Sequence, residues 1–264
     1  MIPVKAVCDT LEAFAPLQFQ ESYDNAGLIV GRPDQTVTGV LICLDVTETV
    51  IDEAISLGCN LIVSHHPLIF RGIKNLIGEG RVEASLIKAI KHDIALYAGH
   101  TNVDAVIDGV NGQIADRLGL INRSILHPMG ATDQHGTYGI GLVGNLTTPE
   151  PTHDFLKRVK NLFDCQSIRY SQPQTSTVSR IAVCGGAGNE FIEQARQAGA
   201  EVLLTGEAKY HEFFTEGLGI MLVDAGHFET EQFTKALFFD LLSKKFPTFA
   251  VRISTTERNP VNYL

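Results

Sequence analysis

The segment VLICLDVTETVIDEAISLGCNLIVSHHP, from Val40 to Pro67, can be laid without a gap over IAVCGGAGNEFIEQARQAGAEVLLTGEA, from Ile181 to Ala208. Cys43 falls on Cys184, Ile51 on Ile192, Ala54 on Ala195 and Gly58 on Gly199. An internal repeat constrains a fold more than local propensity does, because both copies must satisfy one backbone plan. Each copy reads as an apolar strand, a turn, an amphipathic helix stopped by a glycine, and a second apolar strand. The order then continues alike, since IALYAGH follows the first copy and IMLVDAGH the second, each an apolar strand ending at Gly-His.

Strands alternating with helices imply an α/β architecture with right-handed crossovers. The expectation is two interlinked, duplicated α/β halves, spanning 1–125 and 126–264, with mixed sheets flanked by helices. Functional residues belong at the strand ends, the usual crevice of such folds. The stretch from about Ile121 to Ser179 is less regular: a strand YGIGLVGNL, a helix PTHDFLKRVKNLF, a strand SIRYS and a polar loop QPQTSTVS. It opens the second half, and a helix QFTKALFFDLLSKKF and a strand FAVRIS close it.

Composition narrows the setting. At 44% hydrophobic and 19% charged residues, the chain has the balance of a soluble globular protein. Acidic and polar residues interrupt the N-terminal MIPVKAVCDTLEAFAPLQF, so it lacks the core of a signal peptide, and no run is long enough to span a bilayer. The five cysteines form no C-x-x-C pair and read as reduced structural thiols, with the cytoplasm as the expected compartment. A net charge of -9 argues against a general nucleic-acid surface.

The chemistry gathers at the strand ends. AGHTNVD places Asp104 four residues after His100, and AGHFETE places Glu231 four residues after His227. At i and i+4 on a helical turn, an imidazole and a carboxylate share a face and can close around a cation. Helix capping would explain the carboxylates, since acids are favoured in a first turn, but not the repeated Gly-His before them. Ser64-His65-His66-Pro67 ends another apolar run. Adjacent strand side chains point to opposite faces, so both histidines serve one site only where Pro67 ends the strand and the chain turns. A hydrogen-bonded histidine pair is the plain alternative; the His/carboxylate pairs at matching strand ends favour metal ligation.

In the second copy Gly206 and Glu207 replace the two histidines, and His211 follows, so the duplicated site is asymmetric. Glu207 and His211 are either exposed polar residues, groups that orient metal ligands, or an acid/base pair. The turn CGGAGNE fails the dinucleotide and P-loop patterns and reads as a tight turn lining a substrate pocket, with room for a bound phosphate. DNAGLIVG, with Asp24, Asn25 and Gly27, reads as a turn into a strand.

Taken together, DNAGL, SHHP, GHTNVD, CGGAG, TGE and GHFETE in this order resemble the NIF-three-like family, also called the GTP cyclohydrolase 1 type 2 homologues. The resemblance covers nearly the whole chain, in the short form without an inserted middle domain. It implies a dinuclear metal site between the halves, ligated by His65, His66, Asp104, His227 and Glu231, with Glu231 bridging the ions, and a ring-like homohexamer. The repeat equates His100 with His227, whereas the family pattern takes Asp104; His100 is therefore placed behind the ligands, with direct ligation as the lesser alternative. Imidazoles with carboxylates and no thiolate suit two divalent ions of zinc, iron, manganese or cobalt.

The leading functional expectation is a metal-dependent hydrolase of a small molecule, in which paired ions polarise substrate and activate water. A phosphoester, cyclic amide or nucleotide would all fit, and GTP ring-opening rests on the family name alone. The alternative is a metal-binding scaffold or regulatory partner without turnover.

Overall fold

The computed structural model describes residues 1–264. In chain order its elements begin with α1 (Val4–Phe14), β1 (Gly27–Val30), β2 (Val40–Cys43), α2 (Glu48–Ser56), β3 (Leu61–Ser64), α3 (Arg81–Lys91) and β4 (Ala95–Ala98). There follow α4 (Thr101–Asp104), α5 (Val110–Leu118), the long hairpin strands β5 (Ile121–Thr132) and β6 (Gly136–Pro151), α6 (Thr152–Leu162) and β7 (Arg169–Tyr170). The chain ends with β8 (Thr177–Cys184), α7 (Ile192–Gln197), β9 (Val202–Thr205), β10 (Met221–Asp224), α8 (His227–Glu231), α9 (Thr234–Lys245) and β11 (Val251–Ile253). The residues form two compact units, Met1–Val103 with Thr234–Pro260, and Asp104–Phe233 with Val261–Leu264.

The first unit holds a mixed sheet ordered β1-β4-β3-β2-β11, in which only β1 runs antiparallel to its neighbour. VLIC, LIVS and ALYA are buried at every position. Such continuous apolar strands suit a parallel sheet covered on both faces. Leu41, Ile62 and Leu96 join Ile51 and Ala54 of α2 and Ala89 of α3 in one core.

The second unit holds a mixed sheet ordered β5-β6-β8-β9-β10-β7, with β8, β9 and β10 parallel. Phe155, Val159 and Phe163, on and just after α6, join Val183, Leu204 and Val223 in its core.

The repeated strand-helix-strand unit is present in both. Cys43 pairs with Ser64 and Cys184 with Thr205, the same register at repeat-equivalent positions. Helices α2 and α7 each end just before a glycine with positive φ, Gly58 and Gly199. In each unit the strand ending at Gly-His lies parallel to the second strand of the repeat.

The C-terminal elements group with the first unit. Helix α9 packs on α1, β2 and β11, and β11 adds to β2 in parallel, pairing Val251 with Val40 and Ile253 with Ile42. They therefore complete the first unit, where the edge of β2 offers the hydrogen-bonding partners that a three-residue strand needs. Beyond β11, the Glu53 carboxylate of α2 accepts hydrogen bonds from Ser254 Oγ (2.5 Å), Thr255 N–H (2.8 Å) and the Thr256 hydroxyl (2.8 Å). Glu257 accepts from the N–H groups of Leu44 (2.8 Å) and Asp45 (2.7 Å) and from Lys235 Nζ (2.7 Å). The returning tail thus fixes the backbone at the exit of β2.

All five cysteines are buried and free. Burial pushes the Cys8 and Cys165 thiols up to about 12 from an ordinary 9.0, and raises those of Cys43 and Cys184 as well. A thiol at 12 holds about a thousandfold less thiolate than one at 9, and the thiolate is the reactive form. A disulfide reagent at pH 8 is therefore expected to titrate the folded protein slowly and the urea-unfolded chain rapidly, to five thiols. Fast labelling of several thiols in the folded protein would contradict this burial. No helix is long and apolar enough to cross a membrane.

Candidate metal site

In the first unit the chain leaves β3 at Ser64, whose hydroxyl donates to His66 O (2.8 Å) and so turns the backbone directly after the strand. That turn lets the two neighbouring histidines approach each other, with ring centroids 5.0 Å apart. His100, at the end of β4, brings a third ring to 5.2 Å from His65 and 5.5 Å from His66. One ligand nitrogen from each of the three lies within 4.8 Å of the others, a grouping able to hold a metal ion.

Each ring is anchored through Nδ1. His65 Nδ1 donates to Gly99 O (2.8 Å), His66 Nδ1 to Asp45 Oδ1 (3.1 Å) and His100 Nδ1 to Asp24 Oδ1 (2.7 Å). These oxygens can only accept, so each Nδ1 carries the proton and Nε2 becomes the nitrogen available to a metal. Metal-ligating histidines are oriented in this way.

Asp24 is the most heavily committed of these anchors, with its side chain fully buried. Its second oxygen accepts from Thr101 N–H (3.0 Å) and Thr101 Oγ1 (2.5 Å). Burial alone would raise its pKa, but hydrogen bonds from His100, Thr101 and the Asn25 N–H outweigh it and hold the carboxyl down at about 2. DNAGL is therefore an anchor for His100 and not merely a turn. Asn25 adds a further tie, its Nδ2 donating to Ile69 O (2.6 Å).

In the second unit His227 opens α8 and Glu231 closes it, and the i, i+4 spacing puts His227 Nε2 3.0 Å from Glu231 Oε2. Glu231 is buried, and His227 is 40% exposed in its side chain. His227 Nδ1 donates to Glu207 Oε2 at 3.2 Å, so the fourth histidine has the same anchored nitrogen as the other three. His211 lies on the exposed turn after β9, its ring stacked on Phe214 and edge-on to Tyr210.

The glycine-rich turn packs directly under this pair. Gly185 N–H donates to Asn111 Oδ1 (3.0 Å), Gly186 N–H to Thr230 Oγ1 (3.1 Å) and Gly188 N–H to Thr205 Oγ1 (2.9 Å). Amides committed in this way do not form a phosphate cradle, which corrects the allowance for a bound phosphate there. A Cβ on Gly206 would meet Thr230 Oγ1 at 2.5 Å, so the copy equivalent to His65 has no space for a ring.

Asp104 ends α4 on the second unit, where its charge helps raise the Cys184 thiol. Within the first unit it is His100 that stands with His65 and His66. Nothing in the sequence marks Asp24 and Asp45 as anchors. Their only sequence mark is an acid in a turn or at the exit of a strand.

Residues 2–260 match the family Duf34/NIF3 (NGG1p interacting factor 3). The chain belongs to this family. Among Duf34/NIF3 relatives, a "GTP cyclohydrolase 1 type 2 homolog" of Clostridium acetobutylicum is 36% identical over 232 residues, covering 87% of this chain and 85% of the relative. A homologue of the same name from Staphylococcus aureus is 27% identical over 359 aligned positions, so it carries sequence that this shorter chain lacks. A Bacillus cereus protein related to NIF3 has a similar structure, with a TM-score of 0.92 at 27% identity, over 100% of this chain and 99% of that one. A Staphylococcus aureus hypothetical protein gives 0.91 at 31% identity, over 99% of both.

Proposed function

We propose that this Duf34/NIF3 chain is a hydrolase dependent on two divalent metal ions, acting on a small-molecule substrate. His65, His66, Asp104, His227 and Glu231 are the proposed ligands, and His100 joins them because it stands with His65 and His66. The observation that carries this reading is the shared anchoring of His65, His66, His100 and His227 through Nδ1 by oxygen acceptors. Four such imidazoles with a buried carboxylate and no thiolate fit zinc, iron, manganese or cobalt.

Ions held by this set would polarise the scissile group and lower the pKa of water. The chain's own residues supply the rest. Gly99 O, Asp45, Asp24 and Glu207 hold the rings in one orientation, and Glu207 and His211 are the proposed groups for moving protons. Six copies in a ring and a cytoplasmic setting belong to the same proposal, on the family resemblance. The relatives' name, GTP cyclohydrolase 1 type 2 homolog, supports a cyclic amide or nucleotide as the first substrates to try.

The family description, an interacting factor, supports a second reading as a metal-binding scaffold without turnover. Metal analysis of the purified protein and its His227→Ala variant, with a broad hydrolase screen, separates the two. The hydrolase reading expects two ions per chain and a metal-dependent turnover that falls at least a hundredfold in the variant. Full metal occupancy with no turnover on any substrate class would leave the scaffold.

A further inference from the structure

We propose that the coil between β3 and α3, which begins at the histidine pair, forms a subsite for the anionic, phosphoryl-bearing end of a small-molecule ligand. The identity of that ligand as a substrate rests on the hydrolase reading; its binding does not. From His65 to Gly80 the chain carries no helix or strand. Coil of that length is uncommon inside a compact domain and is usually either functional or a linker. It is held at its start, where Asn25 pins Ile69, and it walls a cavity of about 500 Å³. That volume is in the range of small-molecule sites.

Charge chooses the ligand class. The cavity is lined by Arg71, Lys74 and Arg81, the last also donating to Val46 O (3.1 Å), against one carboxylate, Glu83, in a chain whose net charge is -9. The Glu83 carboxylate is turned to the coil's own backbone, accepting from the N–H groups of Gly78 and Glu79 (3.2 Å each). Three cations around a concave surface attract an anion, and arginine with lysine is a pairing suited to phosphoryl oxygens. The same coil exposes Phe70, Ile73, Leu76 and Ile77, apolar side chains that gain by covering a ligand. Phe70 connects the two regions: its ring stands edge-on to that of His100, with centroids 6.1 Å apart. A phosphoryl group among the cations therefore directs the rest of its molecule along Phe70 toward the histidine rings.

The test uses inorganic pyrophosphate as probe and calorimetry on the full chain, once stripped of metal by chelation and once metal-loaded. Saturable binding to the stripped protein is expected, weakening as salt rises from 50 to 500 mM. An Arg71→Ala/Lys74→Ala double variant is expected to bind about tenfold or more weakly, since each lost charge-assisted contact removes a substantial part of the affinity. Arg71→Lys should stay within a few-fold of the parent. Both positions are exposed, so circular dichroism and metal content should not change. Unchanged affinity in the double variant, or no binding by the stripped parent, overturns the subsite, as does binding that needs metal and ignores both substitutions. Pyrophosphate binding through Arg71 and Lys74 in a protein without turnover would uphold this site while removing the hydrolase. Turnover of a neutral cyclic amide without pyrophosphate binding would do the reverse.

Discussion

Gly186→Ala is expected to remove metal from His227 and Glu231, the proposed second-unit ligands, and to destabilise the protein by about 1–3 kcal/mol, the usual cost of a residue held in a disfavoured backbone region. Two effects coincide at this position. Its φ is +61°, which alanine adopts only under strain. An added Cβ would also stand 2.2 Å from Glu231 Oε1, with His227 Cε1 at 3.3 Å. Glu231 is buried and has little freedom to withdraw, so the i, i+4 pair must open. Glu231→Gln separates the contributions, because it removes the ligand charge without touching the turn. The glutamine variant should lose metal yet unfold in urea near the parental midpoint, whereas the alanine variant should lose both. Parental metal content in Gly186→Ala would mean that the turn does not govern the ligand pair.

The second large effect lies on α2, where the C-terminal tail returns. Glu53→Gln is expected to cost about 3 kcal/mol near neutral pH and much less at pH 2–3. Burial of Glu53 would by itself raise its pKa, but hydrogen bonds from Ser254, Thr255 and Thr256 outweigh it and lower the carboxyl from an ordinary 4.5 to about 2. A depressed carboxylate stabilises the fold fully above its unfolded value, and that stability is lost as pH falls through the folded value. The window is therefore about pH 4.5 down to 2, and the difference between the unfolded and folded values corresponds to roughly 3 kcal/mol. Urea unfolding of both proteins across this range measures the gap between them, which should narrow as pH falls. A gap of equal size at pH 7 and pH 3 would mean that shape, not charge, holds the tail. Because the same tail presents Glu257 to the backbone of Leu44 and Asp45, and Asp45 holds His66, weaker metal retention is expected to accompany the loss of stability.

Much of this was legible because it is local or repeated. Strands buried on both faces read as uninterrupted apolar runs, and VLIC, LIVS, ALYA, VLLT and MLVD all stand where those runs are. The His227/Glu231 pair was legible for the same reason, since helical spacing alone puts both side chains on one face. The hairpin strand β5 was not: INRSILHPMGAT alternates poorly and contains Pro128, and it is a strand because β6 pairs with it.

The anchors were hidden for a different reason. Asp24 reaches His100 across 76 positions and Asp45 reaches His66 across 21, and neither acid differs in sequence from an ordinary turn residue. The edge of β2 likewise has no sequence mark to show that β11, more than two hundred residues later, will fill it.

The sequence by itself determined the strand-helix-strand units, the family, and the histidines and carboxylate at the strand ends, because periodicity and repetition are properties of neighbours along the chain. Only the tertiary structure decided that His100 joins His65 and His66, which acids orient the rings, why Gly206 stands where the first copy has a histidine, and which unit receives the C-terminus. Those outcomes depend on hydrogen-bond partners and free volume that folding brings together from distant positions, and neither is written in any local pattern.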